Sequence, residues 1–273
     1  MSISFAALQP QRGLQRLGLS FGQGALLCRR GLHTSSVVGS SQRRAPRMYR
    51  YVQDVHGQLF LHDTVPKNLT SCFKNAQFLD FFIARLRPNP ASAIETRTLT
   101  ISVDDEDAYR GQEDAEEDWT LDDGLAEDEA CRRADARGYH WVSPCQGELN
   151  FVRCHGSPVV FRDLVKDDSG EGLGGDKLRW AGGYHEPFQP HRLMVDAATG
   201  YVYHPSPTPP LRSAQRKMSE GREKNPFGDY SLLASALVLE RLASSLELDP
   251  DAFEHGKGGS IEWRGKRYEM GVL

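Results

Sequence analysis

The sequence predicts an α+β protein with mainly antiparallel sheets and two principal helices packed against them. Short alternating strands recur around glycine turns, and two longer stretches change to the spacing of an apolar helix face. These patterns occur twice in the same order, which predicts a duplicated ββαββ unit in residues 49–165 and 176–273. Because one copy alone has little core, we expect a single compact domain over residues 49–273.

Strand pairs joined by tight turns account for most of the predicted sheet. Polar or glycine dipeptides separate runs of alternating apolar residues, which is the usual pattern of a hairpin. The predicted hairpins span residues 49–63, 140–154, 191–207 and 260–270, with turns at His56-Gly57, Gln146-Gly147, Thr199-Gly200 and Arg264-Gly265-Lys266. Further strands are expected at 96–103, at 159–161 and within 176–183.

Each half also contains one predicted helix. The first follows Pro66 and ends before Pro88, since proline suits a first helical turn and stops a helix. The second covers residues 229–249. The apolar stripes comprise Leu69, Cys72, Phe73, Ala76, Leu79, Ile83 and Leu86 in the first helix, and Leu232, Leu233, Ala236, Leu237, Leu239, Ala243 and Leu246 in the second.

The N-terminal region has the composition of a mitochondrial transit peptide. Residues 1–47 contain seven arginines and no acid, with leucine and serine between them. Arg30, Leu32 and Ser35 have the spacing of a two-step processing signal, so we expect residues 1–39 to be removed and 40–48 to be a flexible N-terminus. A disordered basic tail or a nucleic-acid-binding arm is the alternative interpretation.

An acidic insert is predicted at about residues 104–137. It carries fifteen acids and few apolar residues, so it is expected to stay disordered between two strands. It could also act as a docking tail for a basic partner or as a weak cation sink. Removal of residues 1–39 takes four arginines away and changes the net charge from −4 to −8, which makes the mature chain a poor nucleic-acid binder unless its basic residues cluster. No apolar run is long enough for a membrane span.

Several long motifs resemble a known family. "YVQDVHGQLFLHD", "CFKNAQFLDFFIARLRPN", "SPCQGELNFVRC" and "GYVYHPSP" are similar to the uncharacterised eukaryotic mitochondrial family that includes the human chromosome 8 open reading frame 82 protein. The resemblance covers most of residues 49–272 and implies a soluble mitochondrial protein, with the matrix as the expected compartment. It implies no catalytic residues and no cofactor.

The cysteines and glycines give no clear cofactor site. Cys72, Cys131, Cys145 and Cys154 lack the close pairs typical of zinc sites, so we expect free thiols and no metal. The glycines at 170, 172 and 175 match a dinucleotide fingerprint, but a strand follows them where a nucleotide site needs a helix. Cys145, beside a turn and opposite Glu148, is the weak candidate for a catalytic nucleophile.

Five further residues are weak candidates for binding a ligand. His62 and His204 are interpreted as matching positions of the two repeats, either bonding the backbone or lining a cleft between them. The arginine candidates are Arg85, Arg87 and Arg153, which could bind an anion there or remain solvated.

The leading functional hypothesis is a non-enzymatic binding or assembly module with an unknown mitochondrial protein partner. The alternative is a small-molecule sensor or an enzyme with a cleft between the two repeats. We expect no cofactor and no nucleic-acid partner.

Overall fold

The computed structural model describes residues 46–92, 124–166 and 175–273. The predicted transit peptide at 1–39, the strand at 96–103, residues 104–123 of the acidic insert and the glycine loop at 167–174 lie outside the described residues. Arg47 and Met48 belong to the first strand rather than to a flexible N-terminus, because both pair with the strand that ends at Cys154.

Fourteen strands are present in the described ranges and form two sheets. In chain order the strands are β1 Arg47–Gln53, β2 Leu59–Leu61, β3 Arg87–Pro88, β4 Trp141–Cys145, β5 Glu148–Cys154, β6 Val160–Val165, β7 Lys177–Trp180, β8 Tyr184–Pro187, β9 Met194–Val195, β10 Val202–Pro205, β11 Tyr230–Leu233, β12 Leu246–Leu248, β13 Lys257–Trp263 and β14 Lys266–Val272. The helices are α1 Ala76–Ile83, α2 Glu127–Ala136, α3 Arg212–Ser219 and the short α4 Ser235–Leu237.

Antiparallel pairs dominate both sheets, which confirms the predicted fold class. The smaller sheet has the order β2-β1-β5-β4-β3, and the larger has the order β12-β13-β14-β9-β10-β11-β6-β7-β8. The pairs β1–β5, β9–β14 and β6–β11 are parallel. All four predicted hairpins occur around the predicted turns.

The two halves share one topology. In the smaller sheet, with the order β2-β1-β5-β4-β3, the hairpins β1–β2 and β4–β5 are joined by the parallel pair β1–β5. In the larger sheet, the strands β10-β9-β14-β13-β12 repeat this arrangement, with the hairpins β9–β10 and β13–β14 joined by the parallel pair β9–β14. The second hairpin of each set turns through two residues of positive φ, Gln146-Gly147 and Arg264-Gly265. Such a turn matches the right-handed twist of the strands that it joins. A duplication accounts for this agreement and stays a prediction.

The first helix is shorter than predicted. It begins after Asn75, whose side chain accepts a hydrogen bond from the Phe78 N–H, and it buries Leu79, Phe82 and Ile83. Residues 66–74 form turns instead, because the Asn68 side chain bonds the backbone of the residues that follow it. Side chains of this type compete with helical hydrogen bonding.

The prediction of one helix over residues 229–249 is wrong. The segment forms β11, then helical turns over 235–245 that include a π-helical turn at Val238–Leu242, then β12. Leu232 lies between β10 and β6, paired with Tyr203 on one side and Val160 on the other. Burial in a sheet overrides local helix preference, and leucine-rich runs do not distinguish the two states.

The prediction of disorder is wrong for the end of the acidic insert. Residues 127–136 form α2, which carries three acids in its first turn, where the helix dipole favours negative charge. Ala130, Cys131 and Ala134 are buried against the smaller sheet. Because alanine and cysteine are small, they contribute little to the mean hydropathy of the segment, and its composition therefore does not reveal this buried face.

The smaller sheet is buried on both faces. Val142, Leu149 and Phe151 share one face and pack against α2, as the predicted hairpin register requires. On the other face, Trp141 and Val152 belong to the main core, which also holds apolar side chains of the larger sheet. No helix of the described segments is long and apolar enough to cross a bilayer.

Candidate functional site

A cavity of about 570 Å³ lies between the two halves of the chain. One wall comes from the end of α1, from β3 and from the β4 end at Pro144. The opposite wall comes from residues 209–226, which include α3. Its volume falls within the range of about 300–1,000 Å³ that small-ligand sites occupy.

Two anchors fix the first wall. The Ser143 Oγ donates to the Phe82 carbonyl at 2.7 Å, which holds α1 against β4. The Asp80 carboxylate accepts from the N–H groups of Gly182 and Gly183, each at 2.9 Å, which joins α1 to the β7–β8 turn. The backbone that carries the cavity residues 84–88 is therefore attached to both sheets.

Four cations line the cavity. Arg85 is half-buried, lies 3.7 Å above the Phe81 ring and donates to the Phe81 carbonyl at 2.8 Å. Arg87, Lys217 and Lys224 are exposed, and Lys217 forms a 2.6 Å ion pair with Glu223.

Two of these cations are available to a ligand. Within the described residues, neither the Arg87 guanidinium nor the Lys224 ammonium group has a hydrogen bond or ion pair. The cavity therefore has an excess of positive charge, with Glu223 as its one acidic lining residue.

The remaining lining is largely apolar. Leu86 and Pro209 are buried, and the other apolar members are Ala84, Pro88, Pro144, Leu211, Ala214 and Pro226. Proline and leucine surfaces accept an apolar group, and cations beside them favour a negative charge on the same ligand. This combination suits an anion that also carries apolar surface.

The structure brings two of the predicted arginines together in this cavity. Arg85 and Arg87 both line it, whereas Arg153 does not. The sequence prediction missed Lys217 and Lys224. Residues 212–224 contain five basic and two acidic residues in a chain of net charge −4, and this local reversal of sign was the available signal.

His204 does not line a cleft. Its side chain is fully buried beside the rings of Phe161 and Phe188. Nε2 accepts from the Gln189 N–H at 3.0 Å, and Nδ1 donates to the Pro205 carbonyl at 2.8 Å. Desolvation lowers the pKa of His204 to about 4, so this histidine is a neutral structural group at pH 7.

His62 and His204 are not at matching positions. His62 is the fifth residue after Gly57, whereas His204 is the fourth after Gly200, and a shift of one residue in a strand reverses the side chain's face. His62 Nδ1 instead lies 2.7 Å from the Tyr139 hydroxyl, and burial lowers the pKa of His62.

Arg153 joins His62 rather than the cavity. Its guanidinium lies 4.8 Å from the centre of the Tyr139 ring and donates to the Arg137 carbonyl at 2.6 Å. The buried Tyr139 ring thus connects two predicted binding residues in a group that joins β2, β5 and the end of α2.

Cys145 has its predicted neighbour but not the environment of a nucleophile. It pairs with Glu148 across the hairpin, as predicted, yet it is buried. The contact that the structure gives its thiol is the Ser143 hydroxyl at 3.3 Å. A buried thiol that contacts a serine hydroxyl rather than the side chain of a base is poorly suited to nucleophilic attack.

The other thiols also occupy structural positions. Cys154 lies six residues beyond Glu148 along β5, or roughly 20 Å from Cys145. Burial raises the pKa values of Cys131 and Cys154, which keeps both thiols protonated. In the described ranges, no group of three or more His, Cys, Asp or Glu side chains is placed to hold a metal ion.

Comparison with known proteins places the chain in one family. No solved structure matches the chain. Residues 38–104 and 127–272 match the family described as "Domain of unknown function (DUF4505)", and the interruption falls within the acidic insert. Since this match covers most of the chain, the protein belongs to the DUF4505 domain family.

Proposed function

We propose that this protein is a non-enzymatic binding module that holds an anionic ligand in the cavity between its two halves. The observation that carries the proposal is the set of four cations around an apolar floor. In the described structure, the charged groups of two of them have no hydrogen-bond or ion-pair partner. Binding energy comes from burial of the ligand's apolar surface and from Coulomb attraction at the cations.

The enzyme hypothesis has less support. Catalysis by Cys145 requires a thiolate and a base, whereas this thiol is buried and contacts a serine hydroxyl. His62 and His204 are each engaged elsewhere, with Tyr139 and with backbone groups. A binding role needs none of these side chains at the ligand.

We also propose that the protein acts in the mitochondrial matrix and belongs with the eukaryotic family that its motifs resemble. The arginine-rich, acid-free N-terminal region supports this location. Mass spectrometry of the protein recovered from mitochondria should identify Ser40 as the new N-terminus. Recovery of the full-length chain in the cytosol would contradict the location.

A thermal-shift screen tests the binding proposal. Purified protein is heated with inorganic phosphate, pyrophosphate, succinate or citrate, at constant ionic strength. A ligand at about 100 times its Kd stabilises the folded state by about 2.7 kcal/mol, which raises Tm by several degrees. Isothermal titration calorimetry then measures the affinity of any stabilising anion.

Two matched variants show whether the anion binds in the cavity. Lys224→Gln removes a cavity cation, and Lys266→Gln removes one exposed cation from the β13–β14 turn. We expect the first to weaken binding and the second to leave it unchanged, because both change the net charge equally. Equal effects of the two variants would show that the anion responds only to overall charge.

A further inference from the structure

We infer that the natural ligand of this cavity is an acidic polypeptide segment, which extends from the cavity onto α3 and inserts an apolar side chain between the prolines. This inference rests on the proposed function, because it assigns a ligand class to the same cavity.

Helix α3 is the first observation. None of its eight residues is buried, and its N-terminus has no side-chain cap. A helix this short is marginally stable without tertiary packing. The Gln215 side chain donates to the Pro209 carbonyl at 2.8 Å, which attaches the helix to the cavity wall while leaving its outer face in solvent.

The distribution of charge is the second observation. Arg212 and Arg216 on α3, together with Arg222 in the following loop, continue the positive charge of the cavity outward. The neighbouring acids are already paired, Glu220 with Arg216 and Arg222, and Glu223 with Lys217. In a chain of net charge −4, this surface is complementary to an anion.

The extent of this surface favours a polymer over a small anion. Eight helical residues extend about 12 Å, and three of the four cavity cations, Arg85, Arg87 and Lys224, lie outside the helix. A phosphate or citrate ion contacts a few of these groups at once, whereas an extended chain rises about 3.3 Å per residue and reaches them all. Such a chain places carboxylates at the cations and an apolar side chain among Pro88, Pro144 and Pro226.

Two other polyanionic surfaces fit less well. An anionic membrane binds helices that insert large apolar side chains, and the apolar members of α3 are Ala214 and Met218. Single-stranded nucleic acid binds through aromatic side chains on which its bases stack, and none of the described residues that line the cavity is aromatic.

Fluorescence anisotropy with labelled peptides tests the inference. The probe is a peptide of about ten residues, long enough to cover α3 and the cavity, with glutamates around one central leucine. A second peptide has alanine in place of that leucine. We expect the leucine peptide to bind at least about 10-fold more tightly, because the leucine is buried between the prolines.

Variants of the protein separate the inference from the proposed function. Arg212 lies outside the cavity, so Arg212→Gln should weaken peptide binding by about 2- to 5-fold and leave pyrophosphate binding unchanged. Lys257→Gln, on an exposed strand residue outside this surface, is the control and should change neither. Circular dichroism of each variant checks that the fold is retained.

Each alternative result has a definite meaning. Binding of pyrophosphate in the cavity without binding of the peptide overturns this inference and leaves the proposed function intact. Absence of binding by both probes overturns both. Tighter binding to vesicles of anionic phospholipid or to an oligothymidine than to the leucine peptide also overturns the inference, as does equal affinity for the leucine and alanine peptides.

Discussion

The buried histidine of β10 should make the stability of this protein depend on pH. In the folded state, burial lowers the pKa of His204 from its ordinary value of 6.5 to about 4. Between pH 4 and pH 6.5, His204 therefore binds a proton more readily in the unfolded chain than in the folded protein. The stabilisation is complete above about pH 6.5 and is lost as the pH falls towards 4.

The size of the effect follows from the difference between the two pKa values. Each pKa unit of difference corresponds to about 1.4 kcal/mol in the free energy of unfolding. Lowering the pH from above 6.5 to below 4 should therefore reduce that free energy by about 3 kcal/mol, and lowering it from 7 to 5 should reduce it by about 2 kcal/mol. Desolvation is the main cause, and the nearby charges of Arg192 and His191 act in the same direction. Protonation also costs the bond from the Gln189 N–H, because Nε2 can no longer accept it.

Urea unfolding at pH 7 and pH 5 measures the effect in the wild type and in His204→Gln. The variant should lose about 2 kcal/mol less between the two pH values than the wild type, because its side chain does not titrate. Burial raises the pKa of Asp54 and of Glu186, which acts in the opposite direction, but both carboxyls are present in both proteins and cancel in the difference.

A surface histidine provides the control for this experiment. His255→Gln, at an exposed site, should leave the pH dependence as it is in the wild type. If His204→Gln shows the same loss of stability between pH 7 and pH 5 as the wild type, then the histidine is not held neutral by burial, and the reasoning is refuted.

Three further predictions concern packing and thiol chemistry. Gly182→Ala should lower the free energy of unfolding by at least about 2 kcal/mol, because the new Cβ would lie 2.0 Å from the Ala76 carbonyl oxygen, whereas Gly183→Ala should cost less than about 1 kcal/mol; equal costs in urea unfolding would contradict this contact. Asp176→Asn should lower the same free energy by about 1–3 kcal/mol, because the carboxylate accepts from an indole and a guanidinium; an unchanged urea midpoint would show that these bonds contribute nothing. A Cys154-only variant should react with a disulfide reagent at pH 8 much more slowly than it does after denaturant is added, because partial burial of the residue raises the pKa of its thiol; equal rates for the folded and the denatured protein would refute the raised pKa.

The hairpins were predictable because turn chemistry is local. Gln146-Gly147 and Arg264-Gly265 each provide a glycine for the second residue of positive φ, and alternating side chains fix the register on both sides. The same argument gave the pairing of Cys145 with Glu148. Pro88 also indicated that Arg85 and Arg87 lie near the C-terminal end of the first helix, but no local signal identified the residues that share a cavity with them.

The structures of residues 230–233, a strand, and residues 127–136, a helix, were not predictable from local patterns. Residues 230–233 have the apolar spacing of a helix, but β10 and β6 offer open strand edges on either side, so the segment joins the sheet. Residues 127–136 have the composition of a disordered segment, but the small faces of Ala130 and Ala134 fit closely against Phe151 and Val142. In both cases the deciding partner lies outside the segment whose pattern was considered.

The sequence by itself determined the fold class, the four hairpins, the register of the hairpin around Gln146-Gly147 and the acid-free N-terminal region, because each depends on neighbouring residues or on composition. The tertiary structure alone decided which charged groups meet. It brought Arg87 and Lys224 to the lining of one cavity, it buried His204 among aromatic rings, and it joined His62 to Tyr139. The physical reason is that a site needs convergence of side chains from distant elements, and sheet order and helix docking set that convergence rather than spacing along the chain.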